Sequence, residues 1–273
     1  MVGLKRWIYG LPALAGYRER RARSLADEPR PTRHGFLFAS TPLCFEDFWE
    51  RQEQRIAAAL LPHCSALVDV GAYHGYYSVL AAHLGKAALA IEPDPANRFV
   101  LNANLERNGL QAEIVGAAVA SAPGTLLLYG DGDTASLLRR WQGVGRSFRR
   151  TVPATTLDSL LANRWLGAPL LVKIDVEGAE DAVVAGATAV LERTPRPWWL
   201  IESYPRYPTG GHCPAFLRLF ETMFAAGYQA RLADEDLPTV SMEDVRSWDR
   251  DPLLSSNFLF HDPDVPLPAS LAD

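Results

Sequence analysis

From residue 66 onward, short apolar runs alternate with segments that carry apolar residues at helical spacing. The runs at 66–70 and 87–91 resemble strands, and the segment between them places Tyr77, Leu80 and Leu84 on one helical face. Strands made almost entirely of apolar residues are buried on both faces, which requires a parallel sheet covered by helices on either side. The sequence therefore predicts an α/β fold with strands at 66–70, 87–91, 114–119, 125–129, 170–175, 198–203, 228–232 and 257–261.

Composition narrows the class of protein. The chain has 273 residues and a net charge of -5, which indicates one large globular domain and argues against a general nucleic-acid binder. Cys44, Cys64 and Cys213 share no metal-binding spacing, which disfavours a disulfide scaffold and a cysteine zinc site. No apolar stretch reaches the length that spans a bilayer, and we expect a cytoplasmic protein.

The N-terminal segment is strongly basic. Residues 1–35 hold eight lysines and arginines against three acids. We therefore expect a basic N-terminal arm or helical extension over 1–44, a main domain over 45–262, and a flexible acidic tail over 263–273. Two interpretations of the arm stay open: a partly ordered extension, and a segment that contacts a membrane surface.

Two glycines follow the first predicted strand. Gly71 and Gly75 stand four residues apart at a strand-to-helix turn, directly after Asp69. In a parallel sheet, ligands bind at the carboxyl ends of the strands, and glycines there let a ligand approach the backbone closely. The spacing is GxxxG and not GxGxxG, so the dinucleotide fingerprint is not met.

An acid ends the second predicted strand. Glu92 lies 21 residues after Gly71 and is followed by Pro93. A carboxylate at this position can accept hydrogen bonds from both ribose hydroxyls of a nucleoside. The glycine turn and the acid together predict a nucleoside-binding site.

Charged residues in the strand at 170–175 form a third feature. Lys173 and Asp175 alternate with apolar residues, so both side chains point to the same face of the sheet. A buried charge needs a partner. The candidate partners of Lys173 are Asp69, Glu177 and Glu202.

These motifs, in this order, resemble a known family. Asp69-Val-Gly-Ala-x-x-Gly-Tyr-Tyr-Ser, then Ile-Glu-Pro-Asp-Pro-x-Asn, Thr-Leu-Asp-Ser-Leu and Lys-Ile-Asp-Val-Glu-Gly-Ala-Glu are similar to the FkbM family of S-adenosylmethionine-dependent methyltransferases. The resemblance covers about residues 45–261. It implies a Rossmann-like class I methyltransferase fold, in which a seven-stranded, mostly parallel sheet has an antiparallel last strand and helices on both faces.

The resemblance also implies roles for individual residues. S-adenosyl-L-methionine is the expected cofactor. Its expected binding residues are Asp69, Gly71, Ala72, Tyr73, Gly75, Tyr76, Glu92, Pro93, Ala118 and Asp175. The expected catalytic residues are Asp175, Glu177 and Glu202. The candidates for the general base are Asp175, Glu202 and His212. Binding of Mg²⁺ by Asp175, Glu177 and Glu202 is an alternative, but no metal site is assigned.

Two departures from the family pattern concern the acceptor. Tyr73 and His74 replace an asparagine and an aliphatic residue that the family often has, and they could shape the pocket. An arginine-rich stretch is either a solvated loop or a clamp for an anionic acceptor. It comprises Arg139, Arg140, Arg146, Arg149 and Arg150.

The favoured function is O-methylation of a hydroxyl on a sugar, glycan or natural-product (polyketide-type) acceptor. N- or C-methylation stays open, as do the acceptor and the oligomeric state. One alternative is a non-catalytic protein that binds the cofactor or a partner, at a membrane through residues 1–35. A less favoured alternative is an NAD-dependent oxidoreductase.

Overall fold

The computed structural model describes residues 12–46, 49–130, 135–138, 149–208, 210–248 and 256–271. In chain order its strands are β1 (Arg30–Pro31), β2 (Leu37–Phe38), β3 (Ala66–Val70), β4 (Ala87–Ile91), β5 (Glu113–Val115), β6 (Ala118–Val119), β7 (Gly124–Tyr129), β8 (Arg149–Thr155), β9 (Leu170–Ile174), β10 (Trp198–Glu202), β11 (Gln229–Leu232), β12 (Thr239–Val240) and β13 (Asn257–His261). Its α-helices are α1 (Pro12–Ala26), α2 (Arg51–Leu60), α3 (Tyr76–His83), α4 (Pro95–Arg107), α5 (Leu157–Leu161), α6 (Glu180–Ala185), α7 (Thr188–Leu191), α8 (Pro214–Ala225) and α9 (Met242–Ser247).

A central sheet organises the molecule. Its strand order is β12-β11-β13-β10-β9-β3-β4-β5. The five strands from β10 to β5 are parallel, and β13 runs antiparallel to both of its neighbours. The predicted α/β fold with an antiparallel last strand is confirmed. The short edge strand β12 adds one strand to the seven expected.

The sheet is buried on both faces because successive strand residues point to opposite sides. Val68 packs in one apolar cluster, together with Val172 and Trp199. Its neighbour Leu67 packs in the other cluster, together with helix residue Leu80. The nearly continuous apolar strands are thus explained by helices on both sides.

Two segments differ from their predicted form, and both breaks fall at a glycine. The strand expected over 114–119 splits at Gly116, where an added Cβ would lie 2.9 Å from Arg98 Cζ. Its second half, β6, joins β8 and β7 in a separate three-stranded sheet. The helix expected from 179 to 192 splits into α6 and α7 after Gly186, where an added Cβ would lie 2.2 Å from the Ala120 carbonyl oxygen.

Both ends of the described chain pack on the main domain. Helix α1 lies along α4, with Ala22 and Leu25 beside Ala96 and Val100. The tail was expected to be flexible, but it ends in a 3₁₀ turn (Ala269–Leu271) whose Leu271 is buried. Apolar burial of this side chain outweighs the disorder that the polar composition predicted. Among the described residues, no helix combines the length and apolarity needed to cross a bilayer.

Candidate active site

A cavity of about 450 Å³ opens at the carboxyl ends of β3, β4, β9 and β10. This volume falls in the range of small-molecule sites, which is roughly 300–1,000 Å³. Nearly all of the residues expected at the site line this cavity: Asp69, Gly71, Ala72, Tyr73, Tyr76, Glu92, Pro93, Ala118, Asp175, Glu177 and Glu202.

The glycine turn after β3 closes the floor of the cavity. Gly71 has a φ of +81°, and an added Cβ would lie 1.8 Å from the carbonyl oxygen of Asp175. Its N–H donates to the Ile91 carbonyl oxygen at 2.9 Å. Gly71 is therefore required because the loops after β3, β4 and β9 meet at this point.

Gly75 has a different role from the one expected. It does not line the cavity. Its φ is +84°, and an added Cβ would lie 2.6 Å from Leu101 Cγ. The second glycine therefore lets α3 begin close against α4, and it is a packing residue.

Glu92 forms the side wall at the end of β4. Its Oε2 accepts the backbone N–H of Tyr73 at 3.0 Å, and its Oε1 accepts the backbone N–H of Asp94 at 2.7 Å. Only 5% of the residue is exposed, and this burial raises the pKa of Glu92 to about 8. Oε1 also lies 3.4 Å from Asn97 Nδ2, so Oε2 has the larger remaining capacity to accept ribose hydroxyls.

Asp69 and Ala118 complete this side of the cavity. Asp69 accepts both the Ser78 hydroxyl at 2.6 Å and the Ser78 N–H at 3.1 Å. Burial raises the pKa of Asp69 to about 6. Asp69 thus fixes the start of α3, while Ala118 presents a small buried surface.

At the other end of the cavity, carboxylates surround one buried lysine. Lys173 Nζ lies 3.3 Å from Asp175 Oδ2, so Asp175 is its partner, and not Asp69, Glu177 or Glu202 as expected. Burial by itself would lower the pKa of Lys173. The charges of Asp175, Glu50 and Glu202 outweigh this effect and raise the pKa above its usual value. The lysine is therefore a fixed cation at the base of this acidic end.

Each of the other two acids at this end is held by a tyrosine. The Tyr77 hydroxyl donates to Glu50, and the Tyr204 hydroxyl donates to Glu202. Burial is the main cause that raises the pKa of Glu50 to about 7, and it also raises the pKa of Glu202 well above its usual value. With a pKa near 7, Glu50 is therefore poised to exchange a proton near neutral pH.

Sequence reasoning missed Glu50, Trp49 and Tyr77 as site residues. Glu50 and Trp49 precede α2, outside the recognised motifs, and nothing in their local pattern marks them as functional. Backbone strain is the structural signal. Of the five non-glycine residues with positive φ in the described part of the chain, Glu50, Tyr73 and Glu177 line the cavity.

Neither histidine that was considered lies at the cavity. His74 is buried, its Nδ1 lies 2.8 Å from the Ser40 hydroxyl oxygen, and burial lowers its pKa to about 3. His212 is exposed on the loop after β10 and does not line the cavity. The carboxylates thus remain the candidate proton acceptors.

The arginine-rich stretch lies partly outside the described residues, which exclude Arg139, Arg140 and Arg146. Arg149 is exposed at the start of β8. Arg150 does not face the cavity, since its Nη1 lies 3.0 Å from Asp94 Oδ1. As for metals, the described ranges contain no group of three or more His, Cys, Asp or Glu side chains placed to hold an ion.

The strand order, the glycine turn and the acid after β4 define a class I methyltransferase, with a nucleoside-sized cavity at the strand ends. The model of the methyltransferase FkbM domain matches residues 69–230, which is more than half of the chain. The protein therefore belongs to the FkbM methyltransferase family, and its cofactor is S-adenosyl-L-methionine. The buried acceptor Glu92 and the glycine turn suit such a group.

Two solved structures are similar to this chain at low sequence identity. The O-methyltransferase from Bacillus cereus, in complex with SAH, is 12% identical, covers 89% of each chain and has a TM-score of 0.45. A SAM-dependent methyltransferase from Agrobacterium tumefaciens is 14% identical, covers 86% of this chain and 70% of its own, and has a TM-score of 0.45. The comparison with curated proteins gives no match.

Proposed function

We propose that this protein methylates a hydroxyl oxygen of a sugar, glycan or natural-product acceptor. The observation that carries the proposal is the acidic end of the cavity, where Glu50, Asp175 and Glu202 surround Lys173. An alcohol is a weak nucleophile and needs a group that accepts its proton. The three carboxyls are candidates for that role.

The cofactor end supplies binding and orientation. Glu92 accepts the ribose hydroxyls, the Gly71–Ala72 turn lets the amino-acid part approach the backbone, and Ala118 lies beside the base. When bound, S-adenosyl-L-methionine supplies a methyl group that its sulfonium makes electrophilic. The protein's contribution is then mainly alignment of the acceptor and removal of one proton.

Asp175 lies between the two ends. It follows β9, and its carboxylate pairs with Lys173 while 26% of its side chain stays exposed to the cavity. Asp175 therefore aligns the acceptor hydroxyl, and Glu50 or Glu202 takes the proton. Glu177 lines the same cavity from the loop before α6.

The charges at the acceptor end favour an uncharged acceptor. Among the described residues that line the cavity, Lys173 is the only cation, and Asp175 already pairs with it. Arg150, one of the arginines considered as an anion clamp, already pairs with Asp94. Trp49 and Tyr204 line this end and offer the flat apolar surfaces on which sugar rings pack.

The test is methyl transfer from isotope-labelled S-adenosyl-L-methionine to matched acceptors. The panel contains neutral methyl glycosides, the corresponding amino sugars, the corresponding uronic acids and macrolide alcohols. Mass spectrometry and NMR of the product locate the new methyl group. We expect an O-methyl product from a neutral acceptor, and an N-methyl product would overturn the proposed O-methylation.

Glu50→Gln and Glu53→Gln form a matched pair for this reaction. Glu53 lies one turn further along α2, is buried, and does not line the cavity. We expect Glu50→Gln to lower kcat by about 100-fold and leave cofactor affinity unchanged. Turnover that is equal in Glu50→Gln and wild type would transfer the role of proton acceptor to Glu202. Cofactor binding without any turnover would favour the non-catalytic alternative.

A further inference from the structure

Asp94 lies two residues after Glu92 and joins three parts of the molecule. Its carboxylate is fully buried. It accepts the Ala96 N–H at 2.9 Å as the N-cap of α4, and Arg150 Nη1 from β8 at 3.0 Å. It also pairs with Arg18 from α1. A buried carboxylate is costly unless it is paired, and Arg18 and Arg150 supply the two pairs of Asp94.

Asp94 is also directly linked to the cofactor site. Its backbone N–H donates to Glu92 Oε1 at 2.7 Å. Asn97 Nδ2, one turn along α4, lies 3.4 Å from the same oxygen. A displacement of Asp94 would therefore move two of the donors that orient the Glu92 carboxylate.

We propose that Arg18 is a positioning residue for the cofactor, which acts through Asp94 on Glu92. The N-terminal helix α1 is then part of the cofactor site, although it lies outside the 69–230 segment that matches the family. This inference rests on the proposed contact between Glu92 and the ribose.

The surroundings of Arg18 favour a role in positioning Asp94 over a role in simply holding α1 against the domain. Arg18 is the partly buried arginine of the helix, with 11% of its side chain exposed, whereas Arg20, Arg21 and Arg23 are exposed. The apolar contacts of α1 come from Ala22 and Leu25. The helix therefore has its own packing surface, and Arg18 adds an electrostatic contact with Asp94.

Charge gives a second link between Arg18 and Glu92. Among the described residues, the Glu92 carboxylate is faced by the Tyr73 N–H from the loop after β3, by Asp94 and by Asn97 of α4. Arg98, also of α4, places its Nη1 2.7 Å from the Glu92 carbonyl oxygen. Arg18 and Arg150 face Asp94 from α1 and β8. The Asp94 charge raises the pKa of Glu92, after the larger effect of burial. Removal of Arg18 leaves more of that charge uncompensated and favours the protonated form of Glu92, which accepts hydroxyl donors less well.

The experiment is calorimetric titration of the full chain with S-adenosylhomocysteine between pH 6 and 9. We expect Arg18→Met to weaken binding at pH 7 by about 3- to 10-fold and to shift the pH dependence of the affinity upward. Arg20→Met, on the exposed face of the same helix, should match wild type. Arg18→Lys should recover part of the affinity, because it keeps the charge.

A double-mutant comparison separates positioning from folding. In an Asp94→Asn background, Arg18→Met should have no further effect on binding, since its partner is gone. Circular dichroism and thermal midpoints, measured without ligand, confirm that each variant is folded. The inference would be overturned if Arg18→Met lowered the affinity equally in both backgrounds. It would also be overturned if the single variant kept the affinity and pH dependence of wild type.

The same titrations keep this inference separate from the proposed function. Suppose that wild type binds S-adenosylhomocysteine, that Glu92→Ala loses this binding and that Arg18→Met keeps it. That result would refute the role of Arg18 and leave the proposed function intact. Folded wild type that binds no S-adenosylhomocysteine would overturn both.

Discussion

The backbone N–H of Tyr73 donates to Glu92 Oε2 at 3.0 Å, so the acid after β4 fixes the loop after β3. This bond joins the two loops that carry the expected cofactor-binding residues. Tyr73 holds this position with a φ of 50°, a conformation that costs free energy in a non-glycine residue. The geometry of this loop is therefore held at the expense of local stability.

Gly71→Ala tests the convergence of the strand-end loops. The added Cβ would meet the Asp175 carbonyl oxygen at 1.8 Å, in a backbone conformation that disfavours side chains. We expect the free energy of unfolding to fall by about 3 kcal/mol or more, with loss of cofactor binding. Urea denaturation measures the change. Gly85→Ala is the matched control, because Gly85 also has positive φ but nothing lies within 4 Å of its added Cβ.

Cofactor binding should release protons near neutral pH. Burial raises the pKa of free Glu92 to about 8, so much of this carboxyl is protonated at pH 7. Hydroxyl donors favour the ionised form and lower that pKa on binding. Calorimetric titrations at pH 7, in buffers of different ionisation enthalpy, measure the released protons. The release should vanish in Glu92→Gln, and equal release in that variant would contradict the assignment.

Stability should fall as pH rises from 6.5 to above 8. Burial raises the pKa of Glu180 to about 8 and that of Glu92 to about 8 as well. The native state then holds protons that the unfolded chain has already lost, so unfolding becomes easier with rising pH. Above pH 6.5 the buried His74 no longer opposes this trend, because histidine is then largely neutral in both states.

Glu180→Gln isolates one of these contributions. Glu180 accepts the Gly178 N–H at 2.7 Å, a bond that the amide oxygen of glutamine can keep. The side chain lies outside the cavity lining. We expect denaturation midpoints of this variant to decline less steeply with pH than those of wild type. Parallel curves would show that Glu180 does not hold a proton in the native state.

Lys173→Met tests the acidic end of the cavity. The substitution removes the cation that Asp175, Glu50 and Glu202 share. Loss of one partner from a buried ion pair costs about 3–5 kcal/mol. We expect lower stability and a rise in the pKa values of Glu50 and Glu202, which Lys173 lowers, and this moves the pH optimum of turnover upward. Lys86→Met, on a partly exposed lysine outside the cavity that donates to the Pro62 carbonyl oxygen, should leave both properties unchanged.

Of the residues that the strand-end motifs predict for the cofactor half, Gly71 and Glu92 both line the cavity. The chemistry of that half is local to the sequence, because Gly71 and Glu92 each follow directly from the strand that precedes them. Gly75 was the exception. Its spacing from Gly71 indicates a ligand turn, yet its missing side chain makes room for Leu101, a residue 26 positions away. Only the packing of α3 against α4 separates the two roles.

The acceptor half of the site depends on contacts between residues that lie far apart in the sequence, and local motifs do not predict such contacts. Glu50 meets Tyr77 across 27 positions, and Arg150 meets Asp94 across 56. The sequence offers several acids as partners for Lys173. Its pairing with Asp175 depends on where β9 ends in the folded structure. The tail shows the same limit, since its composition indicates disorder while Leu271 finds a buried site.

The most direct test of the cofactor site is titration of wild type and Glu92→Ala with S-adenosyl-L-methionine and S-adenosylhomocysteine, with NAD as the comparison ligand. We expect wild type to bind the first two and not NAD. Glu92→Ala, with circular dichroism that matches wild type, should bind both about 100-fold more weakly, since two hydrogen bonds to a charged group are lost. An unchanged affinity in folded Glu92→Ala would contradict the placement of the ribose at Glu92.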